Sequence, residues 1–214
     1  MATSEFRTET GTPRVSVNDR LQPIILASSS PRRHEILSRL GLSFTIDSAD
    51  VDESVDENLL PGQAAQVLAL RKAQTVASYY AQGLIIAADT IVAVDGKVLG
   101  KPSDSSDALA MLLTLQGREH HVYSGFAVID VATRRYEAGY EQTAVVFRPI
   151  DEAEARSYVA TGEPMGKAGS YAIQGLGAVF VKEIHGDYFN VVGLPVFKLA
   201  QVLKTFGLDI LGAQ

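Results

Sequence analysis

Cysteine is absent from the 214 residues. That excludes disulfides, thiolate nucleophiles and zinc–thiolate centres, and it fits a reducing compartment. Long apolar runs are missing too. No stretch approaches the roughly 20 residues of a membrane-spanning helix, and the polar opening, residues 1–20, lacks the apolar core of a signal peptide. The expectation is a cytoplasmic protein with no membrane association. Basic blocks are equally scarce: the net charge is −6, so no stable nucleic-acid interface is expected, and a small anionic ligand suits the scattered Lys and Arg better. What remains is an ordinary globular composition with enough chain for one substantial core and a cleft. Residues 1–20 read as a disordered polar tail, with a targeting extension as the alternative, and residues 21–214 as a single domain.

The chain is organised around LASSSPRR, residues 26–33. An apolar strand, residues 23–27, runs into three serines, and Pro31 then opens a helix with Ile36, Leu37 and Leu40 on one face. A strand, a small polar loop and a helix start together make an anion site, because the first-turn N–H groups lack intrahelical partners and the helix dipole is positive there. Arg32 and Arg33 sit in that turn, where cations oppose the dipole at a cost of about 0.3–1 kcal/mol each. A phosphate chain would compensate them. The same residues also fit a plain strand-to-helix junction with two solvated arginines.

Gly41 is positioned to end the first helix, and residues 43–46 read as a second strand. The acidic run 47–57 follows. Pro61 opens a long helix to about Ala81, with Lys72 near its apolar side; taken alone, Lys72 fits a snorkelling lysine. Residues 84–94, LIIAADTIVAV, form an apolar strand interrupted by Asp89-Thr90. A carboxylate there is costly unless it is paired, hydrogen-bonded or metal-bound, so Asp89 is expected to face a polar cleft. Asp95-Gly96 predicts a hairpin that returns Lys101 toward Asp89. A helix over 105–116 precedes two antiparallel strands, 121–131 and 135–147. His120 and His121 should point to opposite faces, which argues against a two-histidine metal site. Asp151 with Glu154 makes an acidic capping box for a short helix ending near Gly162. Residues 162–195 are rich in glycine and place Lys167, Ser170, Tyr171 and Gln174 between turns. Gln174 carries both a donor and an acceptor, as recognition of a base edge requires. A strand at 178–184 and a core helix at 195–206 complete the chain.

Four stretches in this order, LASSSPRR, AADTIV at 87–92, the Gly100-Lys101-Pro102 turn, and GEPMGKAGSYAIQG with GDYFNVVGLP, resemble the Maf family of nucleotide pyrophosphatases over residues 23–207. The KAGSYAIQG wording is similar to the branch acting on dTTP and UTP. The resemblance implies an α/β fold with an elongated mixed β-sheet flanked by helices, two lobes with a central cleft, a homodimer, and a divalent cation, Mg²⁺ or Mn²⁺. It implies Asp89 as the catalytic carboxylate, acting as proton acceptor. Arg32, Thr90 and Gln174 match positions linked to substrate choice, and Arg33, Lys72 and Lys101 match basic residues of the phosphate site. Glu53, with Asp89, is the implied metal ligand. Ser28, Ser29 and Lys167 complete the expected substrate-binding set. Two departures from the family pattern stand out: Gly166 replaces a frequent Asp, and Asp52-Glu53 replaces a frequent Glu-Glu.

The implied reaction is hydrolysis of a nucleoside triphosphate between the α and β phosphates. A triphosphate carries about four negative charges, so neutralisation must precede attack by water. A uracil or thymine edge offers two carbonyl acceptors flanking one N–H donor, which Gln174 can complement in part. The main reading extends to CTP and modified pyrimidine nucleotides. Two other readings use the same cleft: a non-catalytic nucleotide-binding regulator of cell division, and an enzyme for modified or damaged nucleotides with canonical triphosphates as secondary substrates.

Overall fold

The computed structural model describes residues 22–212; the proposed tail at 1–20 lies outside them. Seven strands form one mixed sheet in the order β2-β1-β3-β5-β6-β7, with β4 also paired to β3. Strand β1 (Ile24–Leu26) lies parallel to β2 (Phe44–Ile46) and to β3 (Leu84–Val94). The remaining pairings, among β3, β4 (Lys97–Leu99), β5 (Glu119–Asp130), β6 (Tyr136–Phe147) and β7 (Val181–His185), are antiparallel. The described residues also form six α-helices: α1 (Pro31–Arg39), α2 (Pro61–Ala77), α3 (Ser105–Leu115), α4 (Glu152–Ala160), α5 (Tyr188–Val192) and α6 (Val196–Thr205). The expected α/β class with a mixed sheet is the observed one.

Strand periodicity assigns the two faces. Leu84, Ile86, Ala88, Val92 and Val94 of β3 belong to the larger core, with Leu37, Leu112, Leu199 and Leu203 from the helices. Ile85 and Ala87 join Ala69, Ala73 and Val76 of α2 on the other face, and Ile91 joins Ala64, Ala65 and Leu68. The small side of α2 lets its backbone approach the sheet closely. A Cβ on Gly125 of β5 would collide with the Ala65 carbonyl, so the glycine there is a packing requirement.

The topology creates a gap. Along one edge of β3, β1 pairs only with residues 84–86 and β4 only with 92–94, while β5 occupies the opposite edge. Residues 87–91 therefore have no strand neighbour on the β1 side. Asp89 and Thr90 lie in the middle of this opening, beyond the carboxyl end of β1, where the strand order switches direction from β2 to β3. Crevices at such switch points are where open α/β sheets bind ligands.

Several local expectations hold with adjusted ends. Asp95 (φ 48°) and Gly96 (φ 75°) make the hairpin turn, both in the left-handed conformation that it needs. Asp151 accepts from Glu154 N at 2.8 Å and completes the capping box. Helix α2 stops at Ala77 instead of Ala81: Ser78 Oγ donates to the Thr75 carbonyl at 2.7 Å, and Gly83 (φ 133°) turns the chain into β3. The strand expected at 178–184 begins only at Val181, because Leu176–Phe180 form a 3₁₀ turn. Helix α5 was not anticipated; five residues are too few to show helical periodicity, and Asp187 caps it by accepting from Phe189 N at 2.7 Å.

Candidate active site

The gap in the sheet opens into a cavity of about 630 Å³, a size suited to a nucleotide. Ser28, Ser29, Arg32, Arg33, Glu53, Lys72, Asp89, Thr90, Lys101, Lys167 and Gln174 all line it. Residues separated by up to 146 positions in sequence thus meet in one place.

Adjacent strand residues point to opposite faces, and this splits Asp89 from Thr90. Thr90 turns toward α1. Its hydroxyl accepts from Arg33 Nη2 at 3.0 Å and lies 2.9 Å from Ser124 Oγ, which donates onward to the Asn190 carbonyl at 2.9 Å. Arg33 also donates from Nη1 to Ser28 Oγ and from Nε to the Gly193 carbonyl, both at 2.9 Å. These bonds use three of the five guanidinium N–H groups and leave one on each terminal nitrogen for a ligand. Arg32 Nε donates to the Val192 carbonyl at 3.3 Å.

The arginines oppose the dipole of α1, but they cap the carbonyl end of α5, where cations are favoured. That compensation was invisible in the octapeptide. Ser30 makes no side-chain cap, and the first turn of α1 holds no acidic residue, so its amides stay available to an anion. Burial lowers both guanidinium pKa values. For Arg33 the value falls to about 10, with the neighbouring Arg32 adding to the effect and Asp89 and Glu53 opposing it. Both remain charged at neutral pH.

Asp89 turns toward α2. Lys72 Nζ lies 2.5 Å from Asp89 Oδ1 and 2.8 Å from Glu53 Oε1, so one ammonium joins two carboxylates. Its bond to Lys72 is the main reason that the Glu53 carboxyl is held below its ordinary value; burial opposes this, and Lys101 and Arg33 reinforce it. Asp52 faces elsewhere: its carboxylate accepts from Ser54 N at 2.8 Å and Ser54 Oγ at 2.7 Å, and it does not line the cavity. Of the acidic pair at 52–53, Glu53 is the residue that lines the cavity and shares Lys72 with Asp89.

Among the described residues no group of three His, Cys, Asp or Glu side chains is arranged to hold a metal by itself. Glu53 and Asp89 converge on one cation, Lys72, and both are hard oxygen donors. That pair fits a magnesium-type ion, which binds through one or two carboxylates and takes its other ligands from phosphate and water. His120 and His121 point apart, as expected. His120 is fully buried, with Nε2 2.8 Å from the Tyr171 hydroxyl.

The third wall is the glycine-rich segment. Gly166 adopts φ 72°, a conformation that suits glycine. Lys167 donates to the Glu163 carbonyl, and its pKa is lowered by burial first and then by Arg32. Gln174 is exposed to the cavity and makes no side-chain hydrogen bond among the described residues. Ser170 is buried and turns to Met111 Sδ, 3.0 Å away, so it contributes packing rather than a ligand contact.

Sequence reasoning missed Ser124, Asn190 and the carbonyls of residues 192 and 193. Asn190 is fully buried; it accepts from Ser124 N at 3.0 Å and donates to the Val122 carbonyl at 2.9 Å and Thr143 Oγ1 at 3.0 Å. The available signal was a polar residue inside each of the apolar runs around 122–129 and 188–194. The carbonyl contacts had none, since every residue type carries a carbonyl.

Fold and site together define a mixed α/β protein with a phosphate-type anion cleft, where paired arginines face a carboxylate–lysine cluster. The chain belongs to the Maf family: the family profile described as "Maf-like protein" matches residues 23–206. It is 51% identical over 191 residues to the dTTP/UTP pyrophosphatase of Pelotomaculum thermopropionicum, covering 89% of this chain and 100% of that protein. It is 50% identical over 190 residues to that of Desulforamulus reducens, again covering 89% and 100%. The Moorella thermoacetica dTTP/UTP pyrophosphatase is 47% identical over 192 residues, covering 90% of this chain and 99% of that protein.

Proposed function

We propose that this chain is a nucleoside triphosphate pyrophosphatase that hydrolyses dTTP and UTP between the α and β phosphates, releasing the monophosphate and pyrophosphate and so clearing nucleotide pools. The observation that carries this reading is Asp89, a carboxylate in the open middle of an apolar strand, facing the same cavity as the Arg32–Arg33 pair.

Arg32 and Arg33 neutralise the phosphate chain, with the α1 first-turn amides and the Ser28 and Ser29 hydroxyls adding donors. Their α5 anchors fix the charges before substrate arrives, which reduces reorganisation during the reaction. Lys101 and Lys167 extend the positive wall. Asp89 orients the attacking water toward the α phosphorus and accepts its proton. Lys72 keeps Asp89 and Glu53 convergent. Glu53 and Asp89 would hold Mg²⁺ or Mn²⁺, which when bound supplies further charge neutralisation at the phosphates. Gln174 reads the base edge, and a site that hydrogen-bonds its substrate discriminates strongly against a mismatched edge. Thr90, with its hydroxyl committed to Arg33 and Ser124, contributes by holding Arg33. A cytoplasmic homodimer completes the proposal, supported by the family resemblance.

The test is pyrophosphate release from a panel of nucleoside triphosphates, including CTP and 5-methyl and pseudouridine forms, with Mg²⁺ or Mn²⁺. Wild type should act best on UTP and dTTP, and Asp89→Asn should bind nucleotide without turnover. Normal turnover in that variant would remove Asp89 from the chemistry. Tight binding without release by the wild type would favour a nucleotide-binding regulator.

A further inference from the structure

Gln174 occupies the third position of a four-residue turn, closed by Gly175 N donating to the Ala172 carbonyl at 3.1 Å. Both flanks of this turn are held by two residues that do not line the cavity. Tyr158, on α4, accepts from Ala172 N at 3.2 Å, at the first residue of the turn. The Glu163 carboxylate accepts from Leu176 N at 2.9 Å and Gly177 N at 3.0 Å, immediately after the turn. The holders are themselves joined: Tyr158 Oη donates to Glu163 Oε1 at 2.7 Å.

The fit around this pair is close. A Cβ on Gly175 would collide with the Glu163 carboxylate, and one on Gly177 would come within 2.8 Å of the Tyr158 hydroxyl. Tyr158 is anchored in the core, with its ring edge-on to Phe180 at 5.1 Å between centroids. The turn is therefore referenced to α4 and the core, not to other cavity residues. Burial raises the Glu163 carboxyl, but the Gly177 and Leu176 amides and then the Tyr158 hydroxyl outweigh it, so the group stays ionised at neutral pH. An ionised acceptor makes stronger hydrogen bonds than a neutral one.

We propose that Tyr158 and Glu163 are positioning residues for base selection: their joined hydrogen bonds hold the 172–175 turn so that Gln174 is presented to the nucleobase, and they set discrimination without touching the substrate. This rests on the reading of Gln174 as the base reader. Loosening either holder leaves the arginine and carboxylate walls in place, since those are anchored on α1, α2, β3 and α5. The effect should therefore fall on the choice among bases, with the phosphate chemistry preserved. A role confined to satisfying buried backbone N–H groups would instead lower stability without moving selectivity.

The experiment measures kcat and KM for UTP and CTP with wild type, Tyr158→Phe, Glu163→Gln and Gln174→Ala, each beside its thermal melting temperature. Tyr158→Phe preserves the ring in the core, so it keeps the test informative if Glu163→Gln folds poorly. The expected result is a fall of about tenfold in the UTP-to-CTP ratio of kcat/KM in both holder variants, with kcat on CTP within about twofold of wild type. Gln174→Ala should lower the ratio at least as far. A flattened ratio in Gln174→Ala alone, with wild-type ratios in folded holder variants, would overturn the positioning role. An equal loss on both nucleotides in the holder variants would also overturn it and leave them structural. An unchanged ratio in Gln174→Ala would instead overturn the base-reading assignment on which the proposal rests.

Discussion

Thr90 accepts a 3.0 Å hydrogen bond from Nη2 of Arg33, 57 residues away in the chain. Through it β3 holds a charge that α1 supplies, and the Ser124 hydroxyl extends the link to α5. Thr90→Val keeps the branched shape and removes the acceptor. We expect KM to rise about tenfold on every nucleotide, with base preference unchanged, the scale of one hydrogen bond to a charged group. Steady-state kinetics across the panel check this. A shift in base preference would make Thr90 a reader of the base.

Among the described residues, Lys72 is the cation that joins Asp89 and Glu53. Lys72→Met retains a long side chain on α2 but leaves the two carboxylates without their common partner. Turnover on UTP should fall by about two orders of magnitude, comparable to losing one group that stabilises developing charge. Lys72→Arg should recover part of it. Turnover close to wild type in Lys72→Met would show that the cluster works without the ammonium.

Asn190 connects the arginine anchors to the sheet. Its amide bonds Ser124 N, the Val122 carbonyl and Thr143 Oγ1 in a fully buried position. Asn190→Ala removes the side-chain partner of Ser124 N and of the Val122 carbonyl, while Thr143 Oγ1 keeps its 3.0 Å bond to the Asp187 carbonyl, and should cost about 2–4 kcal/mol of stability. It also releases α5, so KM should rise for all nucleotides. Chemical denaturation and kinetics on the same preparation test both parts. Loss of stability with an unchanged KM would detach Asn190 from the arginines.

His120 provides the pH dependence. Burial, with a smaller contribution from His121, lowers its pKa from the ordinary 6.5 to about 3, and its Nδ1 has no partner among the described residues. The folded protein therefore keeps this imidazole neutral, while the unfolded chain takes up a proton near pH 6.5. Its contribution to stability is complete above that pH and declines as pH falls toward 3, by at most about 1.4 kcal/mol per pH unit. His120→Gln does not titrate. The stability gap between wild type and variant, measured by urea unfolding, should narrow between pH 6.5 and 4.5. A constant gap would show that His120 is protonated equally in both states.

Much of this architecture was legible because its signals are local. The apolar run at 84–94 specifies a buried strand, Asp95-Gly96 specifies its hairpin, and Asp151 with Glu154 specifies the start of α4. Each depends on backbone preferences within a few residues. The errors came where neighbours at a distance, or lengths too short for periodicity, decided the outcome: the end of α2, the 3₁₀ turn before β7, and the five residues of α5.

The candidate site divides in the same way. The sequence alone determined which residues are anomalous: three serines and two arginines at a helix start, an aspartate within an apolar strand, and a glutamine among glycines. Burial and dipoles make such residues costly without partners, so they could be recognised before any partner was known. Tertiary structure decided who the partners are. It paired Lys72 with Asp89 and Glu53, turned Asp52 away, gave Arg33 its bonds to Thr90 and Gly193, and tied the Gln174 turn to Tyr158 and Glu163. These contacts depend on the gap between β1 and β4 along β3 and on how closely α2 approaches β5. Both are set by long-range pairing and packing, which no local stretch of the chain encodes.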